Sequence, residues 1–182
     1  REVLRDYARS FFYGEDCEKI VDVIFGMEQS WNGDPAENWS VENVYRALIE
    51  MKSDKLMKNW RYVLFLFRAS CDKIVRERRI FELDLIDDAR TQIRKGNIEL
   101  AKEILSTDFD EEYKDLRAEL FPLAEKLFNL IGMQLDVEHF GGMNVERGCV
   151  LDTIDMPVTD RNYLLNKIKS HPDSDYLAEI FD

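Results

Sequence analysis

The sequence predicts an all-α protein, a single helical bundle around one long central helix. Apolar residues recur at three- and four-residue steps along most of the chain. No Gly or Pro interrupts the stretch from Leu56 to Lys95. Helix-ending and helix-capping residues such as Gly14, Asp16, Ser40 and Gly96 punctuate the periodic stretches.

Taken in order, residues 2–12 (EVLRDYARSFF) place Val3, Leu4, Tyr7, Ala8 and Phe11 on one helical face, and Gly14 ends the element. Asp16 can cap a second helix in which Ile20, Val23, Ile24 and Met27 recur. The turn-forming stretch SWNGDPAENWS follows and carries Trp31 and Trp39. Ser40 is the expected N-cap of a third helix with Val41, Val44, Tyr45 and Leu48 inward. The fourth helix, from Leu56, should be the longest, about 38 residues and ~57 Å at the α-helical rise. Its expected inward seam is Trp60, Val63, Leu64, Phe67, Cys71, Ile74, Phe81 and Leu85. IELAKEIL makes a short fifth helix, and KGNIELAKEIL resembles half of a tetratricopeptide unit, but no second copy lies about 34 residues away.

Asp108 or Asp110 can cap the next helix, whose seam runs Tyr113, Leu116, Leu120, Leu123, Leu127 and Leu130 or Ile131. Pro122 removes a hydrogen bond there and predicts a kink or a fresh start. A long irregular segment then spans residues 136–159, with glycines, a proline and short β-like alternations. Thr159 or Asp160 caps a helix through Ile168, and residues 176–181 suit a last turn.

NWRYVLFLFRASCDKIVRERR, residues 59–79, decides the architecture. Its first half is apolar on nearly every side, the pattern of a helix surrounded by neighbours. Yet Arg61, Arg68, Asp72, Arg76 and Arg79 share one stripe. Unpaired buried charge is too costly to persist. Arg68 and Asp72 are therefore expected to pair at i,i+4, with carboxylates from elsewhere meeting Arg61 and Arg76 in a structural ion-pair stripe. A site for an acidic ligand such as a uronate or phosphate, or a solvated basic face, are the other readings of the same residues. The arginines also break the apolar run below the length needed to cross a bilayer, so no membrane partner is expected.

A formal net charge of −12 argues against a general nucleic-acid binder, which needs a basic face. Three widely spaced cysteines, Cys17, Cys71 and Cys149, form no CxxC pair and read as free thiols. The two histidines, His139 and His171, lack metal-ligand spacing, and no zinc or other cofactor is expected. Cys149 with His139 is a nucleophile pair of little specificity, and no GxSxG, P-loop or dinucleotide fingerprint occurs. DFDEE at 108–112 and the pair Asp87-Asp88 are better explained by helix capping and solvation than by metal binding. No catalytic residue is assigned. Arg147, Asp152 and Asp155, in the irregular segment, are candidate binding residues, with turn and capping duties as the alternative. Trp31 and Trp39 either lid the end of the bundle or stack on a sugar ring or partner.

Three stretches together resemble a known type of domain: FFYGEDCEKIVDVIFGMEQSWNG (11–33), residues 59–79, and VERGCVLDTIDMPVTDRNYL (145–164). They resemble a helical domain that follows the catalytic barrel in large bacterial glycosidase-like, glycan-degrading proteins. The resemblance implies a non-catalytic accessory or interaction domain of a secreted or periplasmic protein, whose partners are the rest of its polypeptide and carbohydrate. The chain opens at Arg1 inside a helical pattern without an initiator Met, so one α-helical domain over 1–182, cut from a longer protein, is expected. Two alternatives are a subdomain contributing residues to a glycoside hydrolase site and an intracellular helical adaptor.

Overall fold

Apolar periodicity and side-chain caps set the elements. The computed structural model describes residues 1–12, 17–109, 113–143, 148–170 and 177. Among the described residues the chain is all-α, without a strand, in the order α1 (Glu2–Phe11), α2 (Cys17–Gln29), α3 (Trp39–Met51), α4 (Trp60–Arg94), α5 (Ile98–Leu105), α6 (Lys114–Ile131), α7 (Val150–Thr153) and α8 (Arg161–Ser170). The expected long helix is α4, at 35 residues. None of these helices is long and apolar enough to cross a membrane.

Some boundaries differ from the sequence reading. The N-cap of α3 is Asn38, whose side chain accepts the Ser40 N–H, so Ser40 lies inside the helix. A separate 3₁₀ turn, Leu56–Lys58, precedes α4. The Asn59 side chain accepts the Arg61 N–H and starts the long helix there. Through Pro122, α6 runs without a break; the ring is exposed, where water can satisfy the freed carbonyl. No side chain caps α6 at Tyr113, and Asp110 lies outside the described residues, as do Gly14 and Asp16. The irregular segment contains α7, closed by a capping box in which the Asp152 carboxylate accepts the Cys149 N–H at 2.7 Å.

The chain gathers into two compact units, one of residues 1–76 and 113–155, the other of residues 77–112 and 156–182. In the first, α2 packs on α1 and α3, with Ile20, Val21 and Val23 buried on α2 and Val41, Val44 and Leu48 on α3. The part of α4 in this unit is enclosed: Tyr62, Val63, Leu66, Phe67, Ala69, Ser70, Cys71 and Ile74 are all buried. Consecutive buried residues cannot share one helical face, so the rod has neighbours on several sides. Trp60 and Leu64 are half-buried, whereas Tyr62, Leu66 and Ala69, outside the expected seam, are buried. The Tyr62 hydroxyl donates to the Leu48 carbonyl, and burial pushes its pKa up to about 12.

The second unit has its own core of Ala89, Ile93, Ala101, Leu105, Ile168 and Leu177, in which α5 packs on α8. Its α4 segment carries a buried carboxylate, Glu82, which accepts the backbone N–H groups of Val158 and Thr159. The buried Arg78 donates to the Met156 carbonyl at 2.7 Å, and Arg79 to the Thr159 hydroxyl at 2.6 Å. Glu82 and Arg78 thereby satisfy irregular backbone that no helix or strand supports.

Candidate functional site

The stretch between α2 and α3 is built as a bracket. Its turn residues make local hydrogen bonds in place of a helical ladder. Ser30 donates its hydroxyl back to the Gly26 carbonyl at 3.0 Å at the end of α2. Gly33 adopts a left-handed φ of 77°, which residues with a Cβ rarely take. The Asp34 carboxylate accepts the Ala36 N–H at 2.9 Å and starts the 3₁₀ turn Pro35–Glu37. Asn38 ties the ends together: its Nδ2 donates to the Gln29 and Asn32 carbonyls at 2.8 and 2.9 Å while its Oδ1 caps α3.

The bracket presents Trp31 and Trp39 at 72% and 66% exposure. Each indole has one face held by an arginine of α4. The Arg68 guanidinium carbon lies 4.1 Å from the Trp31 ring centroid, and that of Arg76 lies 5.0 Å from Trp39. Cation–π contact of this kind fixes a ring without covering its second face. Arg68 is itself anchored, because its Nε donates to both Asp72 carboxylate oxygens, at 2.8 and 3.0 Å. Burial pushes the Asp72 carboxyl above the ordinary range, with Arg68 pulling it back.

Two clefts adjoin these rings. Beside Trp31, a cleft of about 530 Å³ is lined by Leu4 and Tyr7 of α1, Ile24 and Met27 of α2, and Phe65 of α4, with Glu28 and Arg68 as its charged groups. Beside Trp39, one of about 460 Å³ is polar, lined by the amides of Gln29, Asn32, Asn38 and Asn43 and by Asp34 and Glu37. An indole face bordered by planar amides and carboxylates can stack on a ring while exchanging hydrogen bonds with its hydroxyls.

The arginine stripe is held by aromatic rings as well as by charge. Arg68 and Asp72 form the expected pair. No ion pair joins Arg61 to a carboxylate among the described residues; its guanidinium lies 3.9 Å from the Phe11 centroid and 4.3 Å from that of Trp60. Arg76 is buried and lies over Trp39. Weakly hydrated and planar, guanidinium groups can be covered by rings where an ammonium would need carboxylates.

The candidates of the irregular segment do not join the tryptophans. Asp152 holds the Cys149 and Val137 N–H groups. Asp155 accepts from the Tyr113 hydroxyl at 2.8 Å and from Arg117 Nε at 3.1 Å. Arg147 and His171 lie outside the described residues. His139 Nδ1 lies 2.5 Å from the Asp136 carboxylate. Burial raises the Asp136 carboxyl, but the Phe140 and His139 N–H groups and the His139 ring together hold it below the ordinary range. Cys17, Cys71 and Cys149 are free thiols, and burial with the Asp72 charge pushes Cys71 up to about 12, so it is a poor nucleophile. Among the described residues no group of three or more His, Cys, Asp and Glu is arranged to hold a metal.

Sequence reasoning singled out both tryptophans but missed Glu28, the amide cluster and the aromatic role of Arg68 and Arg76. One signal was available: Arg68 and Arg76 stand eight residues apart on α4, as Trp31 and Trp39 do on the bracket. No protein-family model matches the chain, and no curated protein or solved structure matches it.

Proposed function

We propose that this chain is a non-catalytic accessory domain of a larger glycan-degrading protein, and that it holds carbohydrate on Trp31 and Trp39. The observation that carries the reading is the pair of indoles, each backed by an arginine on one face and open to water on the other. Covering the open face with the C–H face of a pyranose recovers the hydrophobic free energy that exposure forgoes, roughly 25 cal/mol per Å² of apolar area. Because the rings are already held, little conformational entropy is lost on binding. Beside Trp39, the Glu37 carboxylate and the Asn43 Nδ2 group make no hydrogen bond among the described residues and can meet sugar hydroxyls.

The resemblance of residues 11–33, 59–79 and 145–164 to helical domains of glycosidase-like proteins supports the same reading, with the reaction carried by a catalytic barrel elsewhere in the polypeptide and the whole exported to the periplasm or beyond. The rival in which Asp152 and Asp155 complete a glycan site is less favoured, because both carboxylates already hold backbone N–H groups or side chains of this chain. Titration of the chain with a panel of oligosaccharides, read by tryptophan fluorescence, tests the proposal. A saturable change that Trp31→Ala and Trp39→Ala each weaken is expected; no response to any sugar refutes it.

A further inference from the structure

The cleft beside Trp31 differs in chemistry from its neighbour, and the difference carries information about the ligand. Leu4, Tyr7, Ile24, Met27 and Phe65 give it an apolar wall. A hydroxyl placed against such a wall without a partner loses its hydration for no return. Two charged groups break the wall, Glu28 and Arg68, and no ion pair joins them among the described residues. Glu28 accepts no described hydrogen bond, so its carboxylate stands ready for an incoming donor. The described hydrogen bonds of Arg68 leave from Nε toward Asp72, which keeps the guanidinium oriented while its Nη groups remain available to an acceptor.

A ligand that fits must bring a donor for Glu28, an acceptor for Arg68 and an apolar group for the wall, all close to a ring that stacks on Trp31. Resting on the carbohydrate reading above, we propose that this cleft is the subsite for an N-acetylated hexosamine residue. The acetamido N–H donates to the Glu28 carboxylate, the acetamido carbonyl accepts from Arg68 Nη, and the methyl group lies against the apolar wall. The pyranose borders Trp31 in the cleft, and the open face of that ring is left to the next residue of the oligomer. A uronate fits worse, because its carboxylate meets that of Glu28 in a chain of net charge −12. A free hexosamine fits worse as well: its ammonium can meet Glu28, but it brings no carbonyl acceptor for Arg68 and no methyl group to the wall.

The test compares three ligand series of equal length and linkage, namely β-1,4-linked oligomers of N-acetylglucosamine, glucosamine and glucose, by calorimetry on the intact chain. The acetylated series should bind roughly ten- to a hundredfold more tightly than the glucose series, the loss expected when hydrogen bonds to charged groups go unmade. Glu28→Ala should weaken the acetylated series by about tenfold and leave the glucose series unchanged, while Trp31→Ala weakens both. Circular dichroism confirms that these variants fold. Equal affinity for acetylated and glucose oligomers, or an unchanged acetylated affinity in Glu28→Ala, overturns the subsite and leaves the tryptophan platforms standing. Absence of binding to every sugar takes down the carbohydrate reading beneath it.

Discussion

Replacing Arg68 by Met removes a charge while keeping an aliphatic stem of similar length, and its cost follows from three contacts. The guanidinium donates twice to Asp72, at 2.8 and 3.0 Å, and lies 4.1 Å from the Trp31 ring. Side-chain exposures are 33% for Arg68 and 21% for Asp72, so the pair is neither solvated nor sealed. Breaking a fully buried pair costs about 3–5 kcal/mol and an exposed i,i+4 pair is worth about 0.3–0.5, which places this one at roughly 1–2 kcal/mol. The contact with Trp31 adds about 0.5 kcal/mol. For a chain of this size the sum lowers Tm by about 4–8 °C. Urea and thermal denaturation followed by circular dichroism measure it, and a cycle with Asp72→Asn should show a coupling of roughly 1–2 kcal/mol. The pH dependence has a definite sign. Burial holds the folded Asp72 pKa above its unfolded value of 3.8, so the native state binds the proton more tightly. The Asp72 contribution to stability therefore falls as pH rises from that value through the folded pKa. Asp72→Asn removes this slope, and Arg68→Met, which takes away the group pulling the pKa down, steepens it. An unchanged Tm in Arg68→Met together with additive effects in the cycle would mean that Arg68 is solvated and uncoupled from Asp72.

Three further outcomes test the packing. Leu66, on the enclosed part of α4, is 1% exposed, and Leu66→Ala should cost about 2–5 kcal/mol in urea denaturation. A Cβ at Gly26 would fall 2.4 Å from Val44 Cγ2, where α2 meets α3; Gly26→Ala should destabilise by about 1–3 kcal/mol, and Val44→Ala in the same chain should restore part of the loss. Tyr62→Phe leaves the Leu48 carbonyl without its buried donor and should cost about 1–3 kcal/mol, with the ultraviolet titration near pH 12 losing one tyrosine.

Legibility in the sequence followed the range of the interactions. Ile98–Leu105 was readable residue for residue, because its apolar period and the Lys95-Gly96 stop are local. The apolar pattern predicts a start for α4 at Leu56, four residues early, since the 3₁₀ turn Leu56–Lys58 continues that pattern and only the Asn59 cap divides the two. Ser40 has the chemistry of an N-cap, yet Asn38 caps α3, and its further bonds to Gln29 and Asn32 exist only once the stretch before it has folded. The arginine stripe was visible as charge, but its aromatic partners lie 37 residues away in sequence at both Trp31–Arg68 and Trp39–Arg76, beyond any helical period. The site was legible in the same measure: two tryptophans in a turn-rich stretch announce themselves, whereas the cleft that gives Glu28 and Arg68 a role exists only once α1, α2 and α4 pack.

Sugar on the open faces of Trp31 and Trp39 can be observed ring by ring in a ¹H–¹⁵N correlation spectrum of the three indole N–H groups during titration with N-acetylglucosamine oligomers. The Trp31 and Trp39 signals should move in a saturable way while Trp60, half-buried beside Arg61, stays in place. A spectrum in which neither the Trp31 nor the Trp39 signal moves, at ligand concentrations that saturate any millimolar site, would contradict sugar binding at these rings.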